Sequence, residues 1–314
     1  MVDTEKRSGA WCLTGDPREF ERRAGAFLRA DPALHTVPLS VLAGLLAGDV
    51  RFDGVSARFG VWSEAEGDRV TGAFLWTPPF APYVSPVGPE AAEALIDALD
   101  ALDGGAADAP GGVNGTVEAT RAVADAWLRR HPGASVTEGM AQRLYRLGEL
   151  APPGPAPAGR ARVAEPGDRE LVARWFKEFS DEAAGGIEDG VTDEQALAWA
   201  DSRIAYGGVT LWEAPDGTPV ALAGVTRLVG GSLRVAPVYT PKELRGRGYG
   251  GAATFEVSRA ALAAGADAVV LFTDLANATS NALYQRLGYR PVRDFSVLTF
   301  TAAAGAGVTA TAAP

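Results

Sequence analysis

The sequence predicts an α/β protein of two domains with similar layouts, each a mixed, mostly antiparallel twisted sheet flanked by helices. Three observations predict it. Helical periodicity alternates with short β-rich runs along the whole chain. A stretch that denies both helix and strand, APPGPAPAG at Ala151–Gly159, divides the 314 residues into halves of domain size. The order of elements is nearly the same on either side of it, which suggests a degenerate repeat, although two α/β domains of equal size also resemble one another by coincidence.

In the first half, helical patterns run over Pro17–Arg29 and Pro38–Ala47, and strands over Val55–Trp62 and Arg69–Trp76. A helix follows at Pro89–Leu102, where Ala91, Ala94, Leu95, Ala98, Leu99 and Leu102 form the apolar stripe. Gly104–Gly112 reads as a flexible loop, Val117–Arg130 as a helix and Met140–Leu147 as a closing strand. In the second half, helices are predicted at Asp168–Phe179 and Asp193–Ile204. Strands follow at Val209–Glu213 and Val220–Leu228 around the turn PDGT, and a third at Leu233–Tyr239. A long helix at Gly248–Ala264, a buried strand at Ala268–Thr273, a helix at Ser280–Leu287 and a strand near Arg293–Phe300 complete it. The expected division is a first domain over 1–150, a linker over 151–160, a second domain over 161–300 and a disordered tail over 301–314.

Composition excludes several chemistries. Net charge is −10 and no basic stripe is visible, which argues against nucleic acid as a partner. An acidic surface tolerates a cationic substrate such as an amine. Cys12 is the only cysteine, so neither an internal disulfide nor a thiolate metal site is expected. His35 and His131, both in the first half, are the only histidines, so the second half is expected to work without imidazole and without metal. The N-terminal residues lack an apolar signal core and no apolar run reaches membrane-spanning length. The expectation is a cytoplasmic protein, of bacterial type by its Ala, Gly, Arg and Pro usage, that does not engage a membrane; a homodimer is left open.

One stretch carries chemistry: VYTPKELRGRGYGGAATFEVSRAAL. A strand ends at Tyr239–Thr240, and RGRGYGG then opens a long helix. Glycines at 246, 248, 250 and 251 let the backbone approach a ligand and turn successive N–H groups inward. The helix N-terminus adds a partial positive charge, and Arg245 and Arg247 add full ones. Together they suit a diphosphate. A Walker loop would need a lysine that is missing here, and the dinucleotide fingerprint would need a βαβ opening that the preceding hairpin does not provide.

The unit Arg245-x-x-Gly248-x-Gly250 resembles the Q/R-x-x-G-x-G/A signature of the GNAT superfamily of N-acetyltransferases. About thirty residues on, Asn277, Ser280, Leu283, Tyr284, Gly288 and Tyr289 resemble that family's later motif. The resemblance covers roughly 161–300, and the first half is similar in layout to a divergent GNAT-like domain without the cofactor motif. It implies acetyl-CoA as cofactor and transfer of an acetyl group to a primary amine, of a small molecule. It implies that the backbone of Val238, Tyr239 and Thr240 pairs with the pantetheine arm. It further implies that the amides of Gly246, Arg247, Gly248, Tyr249, Gly250 and Gly251 cradle the pyrophosphate beside Arg245, and that Asn277 and Ser280 contact the cofactor arm. Tyr284 falls where the family places its general acid, from which a phenol can protonate the departing thiolate.

Plainer readings stand beside these. Tyr284 also suits a core aromatic packed with Leu283 and Leu287, and Asn277 or Ser280 also suits a helix cap. Trp175, Phe176 and Phe179 form a stripe whose simplest role is core. No general base is assigned: Leu233–Tyr239 carries Arg234 but no carboxylate, and Glu178, Glu182 and Asp274 are the candidates. A CoA-binding regulatory or interaction module with little turnover is the alternative.

Overall fold

The computed structural model describes residues 9–48, 57–64, 69–78, 80–101, 110–183 and 191–302. Residues 104–109 of the expected loop Gly104–Gly112, and all but the first two residues of the expected tail, lie outside them. The chain forms two compact units. One comprises Met1–Asp31, Leu45–Gln142 and Asp294–Pro314; the other comprises Pro32–Gly44 and Arg143–Arg293.

The first half contains β1 (Ala10–Thr14), α1 (Pro17–Ala30), α2 (Thr36–Ala47), β2 (Arg58–Ser63), β3 (Val70–Trp76), β4 (Tyr83–Val84), α3 (Pro89–Asp100), β5 (Gly112–Thr116), α4 (Val117–Arg130) and β6 (Ser135–Leu147). The second contains β7 (Arg160–Val163), α5 (Arg169–Ala183), α6 (Asp193–Ala205), β8 (Val209–Glu213), β9 (Pro219–Val225), β10 (Ser232–Tyr239), α7 (Tyr249–Ala263), β11 (Ala268–Asp274), α8 (Ala278–Arg286) and β12 (Tyr289–Thr301). The two successions are identical, element for element. Pairing repeats too: β1–β2, β2–β3 and β3–β4 are antiparallel and β4–β5 parallel. In the second unit β7–β8, β8–β9 and β9–β10 are antiparallel and β10–β11 parallel.

The last strand of each half is divided between the two units. In the first unit β5 pairs antiparallel with β12, from Phe295↔Thr116 to Thr299↔Gly112. In the second unit the neighbour of β11 is β6, through its Arg143–Leu147 segment. The units divide inside β6 and inside β12, and also at Asp31/Pro32 and, within α2, at Gly44/Leu45, because Pro32–Gly44 joins the second unit; none of these points lies in the Ala151–Gly159 stretch.

Local sequence explains most helix starts. Asp16 caps α1, with Pro17 at its first position, and Thr116 caps α4. Thr192 and Gln195 form a reciprocal capping box on α6. Three strands were hidden in polar or glycine-rich sequence. β1 lies before Pro17, where the sequence predicts no element. β7 reads RARV and is held at the edge by Arg160 and Arg162 on Glu213. β5 reads GVNGT, and its glycines are steric necessities: a Cβ at Gly112 would stand 2.2 Å from the Leu298 carbonyl oxygen, and one at Gly115 would stand 2.6 Å from that of Val84.

Two apolar layers cover the sheet of the second unit. Leu233, Val235, Val257, Val269, Leu271, Tyr284 and Leu287 pack on the α7 side. Val172, Trp175, Ala200, Leu211, Leu222 and Tyr239 pack on the α5–α6 side. Trp175, Phe176 and Phe179 all join this second layer, and Phe176 stacks on Trp199 at 4.1 Å. Each fully buried Val, Leu or Phe contributes about 1.5–3 kcal/mol, which fixes the strands between the two helical layers and so fixes the site described next.

Candidate active site

The site is built where β10 leaves β11. These parallel strands pair only over Ser232↔Ala268, Leu233↔Val269 and Arg234↔Val270. β10 nevertheless continues on β9 to Tyr239↔Leu222, after a bulge between Val235 and Val238. Beyond Arg234 the β11-facing edge of β10 is thus open, and Val238, Tyr239 and Thr240 lie on it. An open strand edge offers N–H and C=O groups to an extended ligand. The Thr240 carbonyl already accepts from Arg245 Nε at 2.9 Å.

A 3-10 turn (Lys242–Leu244) leads from β10 into the glycine loop. Gly246 and Gly248 adopt φ of +75° and +83°, a left-handed conformation that glycine enters without a steric cost. Gly248 caps α7, and none of the amides of Gly248, Tyr249, Gly250 and Gly251 donates to an acceptor among the described residues. Glycine is also required by closeness. A Cβ at Gly251 would meet Leu283 Cδ1 at 2.9 Å, and one at Gly250 would meet Thr240 Oγ1 at 3.2 Å. The loop therefore presents four unsatisfied donors at a helix N-terminus, pressed between the end of β10 and α8. That geometry suits a diphosphate.

The two loop arginines differ. Arg245 Nη2 reaches both oxygens of Glu182, at 2.9 and 2.7 Å, and its guanidinium lies 5.7 Å from the Tyr239 ring centroid. Arg247 Nη2 donates only to the Glu243 carbonyl, at 3.3 Å, and its residue is exposed. Arg247 is the cation left available to a phosphate.

Tyr284 projects from α8 into the α7-side layer, 8% exposed, with its ring edge-on to Tyr289. Its hydroxyl has no hydrogen-bond partner among the described residues. Burial raises its pKa to about 12, so the phenol is protonated at neutral pH. Tyr289 is also raised by burial, yet its hydroxyl is bonded to Ser258 Oγ at 2.7 Å. Of these two neighbouring phenols, one is structurally committed and the other is free to donate.

Asn277 is the N-cap of α8: its Oδ1 accepts from the Ser280 amide at 3.0 Å. Asn277 keeps its Nδ2, and Ser280 its hydroxyl, for another partner. Asn281, which the sequence did not single out, ties the start of α8 to β11 by donating to the Asp274 and Asn277 carbonyls, each at 2.8 Å. Its Oδ1 accepts from Tyr145 of β6 at 2.9 Å.

Among the candidate bases, Asp274 caps a turn by accepting from the Ala276 amide, and Glu182 is held by Arg245. Glu178 accepts from Tyr239 Oη at 2.9 Å, and this contact together with burial raises the Tyr239 pKa. Glu178 lines an open cleft of about 660 Å³ with Trp175, Asp181, Glu182, Tyr239 and Glu243, and Arg174 and Lys242 are its cations. Four carboxylates against two cations make it a cleft that favours positive charge. No group of His, Cys, Asp and Glu able to hold a metal occurs among the described residues, and no helix there is long and apolar enough to cross a membrane.

Residues 171–289, which include the splay, the glycine loop and α8, match the model of the acetyltransferase (GNAT) family. This stretch is similar to a GNAT acetyltransferase domain. Solved structures extend the likeness to the whole chain as a fold. A Drosophila protein from a structural genomics programme is 13% identical, with a TM-score of 0.62 over 93% of this chain and 98% of its own. A GCN5-related N-acetyltransferase from Sphaerobacter thermophilus is 19% identical, with a TM-score of 0.55 over 93% and 95%. A tandem GNAT protein from the clavulanic acid biosynthesis pathway is 15% identical, with a TM-score of 0.54 over 95% and 100%. No curated protein matches the sequence. The duplicated succession of elements agrees with a tandem GNAT fold. Only the second copy has the glycine loop: in the first, β4 runs into α3 through Ser85, Pro86, Val87 and Gly88.

Proposed function

We propose that this protein is an acetyl-CoA-dependent N-acetyltransferase that acts on a primary amine of a small molecule. One observation carries the reading: an open strand edge at Val238–Thr240 leads, through the short turn over 241–247, to four free amides at Gly248–Gly251. An extended arm ending in a diphosphate fits both parts at once, and acetyl-CoA has that shape. The cofactor, when bound, supplies an activated thioester.

The chain's own residues then have separate tasks. The Gly248–Gly251 amides and the α7 dipole bind phosphate oxygens, with Arg247 beside them. The β10 edge orients the arm by main-chain hydrogen bonds. Tyr284 holds a proton on a phenol oxygen without a competing acceptor, ready for a thiolate as it departs. No carboxylate on β10 waits for the proton of the amine, and this observation favours a second reading, a CoA-binding module with little turnover. The two are separated by following release of free CoA thiol with a panel of amines. Tight acetyl-CoA binding with no amine acetylated would leave the binding module.

A further inference from the structure

A second polar site lies on the opposite face of β10 from Tyr284. Arg234, the last β10 residue paired with β11, carries a buried Nη1 without a hydrogen-bond partner. A buried guanidinium is ordinarily matched by a carboxylate. Here the charged and phenolic groups that act on it are another cation, Arg203, and Tyr206. Both belong to the end of α6. Arg203 is held in place: Nη1 donates to Tyr206 Oη and, at 2.9 Å, to the Val225 carbonyl, and the guanidinium lies 5.4 Å from the Trp199 ring. Arg227, on the β9–β10 hairpin, places its guanidinium 4.3 Å from the centroid of the Tyr206 ring. Arg203 and Arg227 therefore both stand over the Tyr206 ring, and Arg234 lies within the electrostatic reach of Arg203 and Tyr206. Neither Arg203 nor Arg234 has a carboxylate partner among the described residues. Ser232, two residues before Arg234 and on the same strand face, also leaves a buried Oγ unpartnered.

Like charges held together in a low-dielectric setting oppose folding unless an anion joins them. We propose that Arg234, with Arg203, forms a subsite for an anionic group, carboxylate or phosphate, on the acyl acceptor. This rests on the acetyltransferase reading, because Arg234 stands at the point where β10 parts from β11. The acceptor would then be an amine that carries its own negative charge, and guanidinium groups suit the planar oxygens of either anion.

Two measurements test it. Thermal melting of the whole protein is followed with inorganic phosphate and, separately, with acetate, in wild type, Arg234→Gln and Arg234→Lys. Phosphate also reaches the glycine loop, so the difference between wild type and variant is the readout. Arg234→Gln is expected to bind the effective anion at least fivefold more weakly and Arg234→Lys to fall between, with the acetyl-CoA-induced shift the same in all three. Acceptor preference is then compared within pairs: amino acids against their amides, and phosphorylated amino sugars against unphosphorylated ones. Wild type should favour the anionic member tenfold or more in kcat/KM, and Arg234→Gln should lose that preference. The proposal is overturned if both anions stabilise wild type and Arg234→Gln equally, or if a preference for the anionic member survives Arg234→Gln. Absence of an acetyl-CoA shift in wild type would instead remove the acetyltransferase reading, while the anion measurement still decides whether Arg234 binds anions.

Discussion

Replacing Tyr284 with phenylalanine should separate chemistry from folding, and Tyr289→Phe is its control. The Tyr284 hydroxyl is bonded to nothing among the described residues, so its removal orphans no partner. Folding stability should change by less than about 0.5 kcal/mol, as for a substitution that breaks no interaction. A general acid, in contrast, is worth roughly 10²- to 10⁴-fold in rate, or about 3–5 kcal/mol of barrier. Tyr289→Phe should behave in the opposite way. It removes the buried bond to Ser258 Oγ, which costs about 0.5–1.5 kcal/mol of stability, and should leave turnover near that of wild type. The assay is steady-state release of CoA thiol with a reactive amine, beside thermal melting of all three proteins. Since burial holds the Tyr284 pKa at about 12, the phenol stays protonated through the neutral range, and the wild-type to Tyr284→Phe rate ratio should be flat there. Equal kcat in wild type and Tyr284→Phe would refute the proton-donor role. A melting temperature that falls as far for Tyr284→Phe as for Tyr289→Phe would show that the hydroxyl is structural after all.

Three further outcomes follow from the geometry. Gly248→Ala forces an alanine to φ of +83° with nothing nearer its Cβ than Pro157 Cδ at 3.7 Å; it should cost about 1–2 kcal/mol and abolish the acetyl-CoA-induced rise in melting temperature. Arg162 bonds Asp168 and Glu213 and holds both carboxyls below their usual range, so their contribution is present above about pH 4 and lost as pH falls below it. Glu213→Gln should accordingly melt earlier than wild type at neutral pH, with the gap closing in acid. Burial raises Tyr83, Tyr284 and Tyr289; a raised phenol stabilises the fold fully below about pH 10 and progressively less above it, so tyrosinate absorbance should appear together with loss of helical circular dichroism.

What the sequence disclosed follows from locality. The helices were legible because caps and apolar stripes are written in consecutive residues, as at Thr192–Gln195. The glycine loop was legible for the same reason, since its donors and its positive φ angles belong to one short run. The strands β5 and β7 were not legible. Gly112 and Gly115 are demanded by carbonyls of Leu298 and Val84, far away in the chain, and β7 is held by Glu213. The residue type of Asn277 allowed both a cap and a ligand contact; only the 3.0 Å bond from the Ser280 amide shows how its carbonyl oxygen is used. Arg234 was noticed only as the residue occupying a place without a carboxylate, because Arg203, Tyr206 and Arg227 come from other elements and have no fixed spacing to it.

The exchange of final strands was beyond sequence reading for a related reason. Alternation in β6 and β12 states which face is buried, not which neighbour is chosen. Its consequence reaches the site. Tyr145, on β6 before the Ala151–Gly159 stretch, is fully buried in the second unit and donates to Asn281, and Gln285 donates to Tyr145 at 3.1 Å. Asn281 and Gln285 flank Tyr284 on α8, so the helix that carries the proposed acid is anchored by a residue from the other half of the sequence. A chain cut within the linker would take Tyr145 away from α8 and leave one edge of β11 uncovered. The copy with the glycine loop therefore depends on its divergent twin for a strand, which gives the first half a structural reason to persist without a glycine loop of its own.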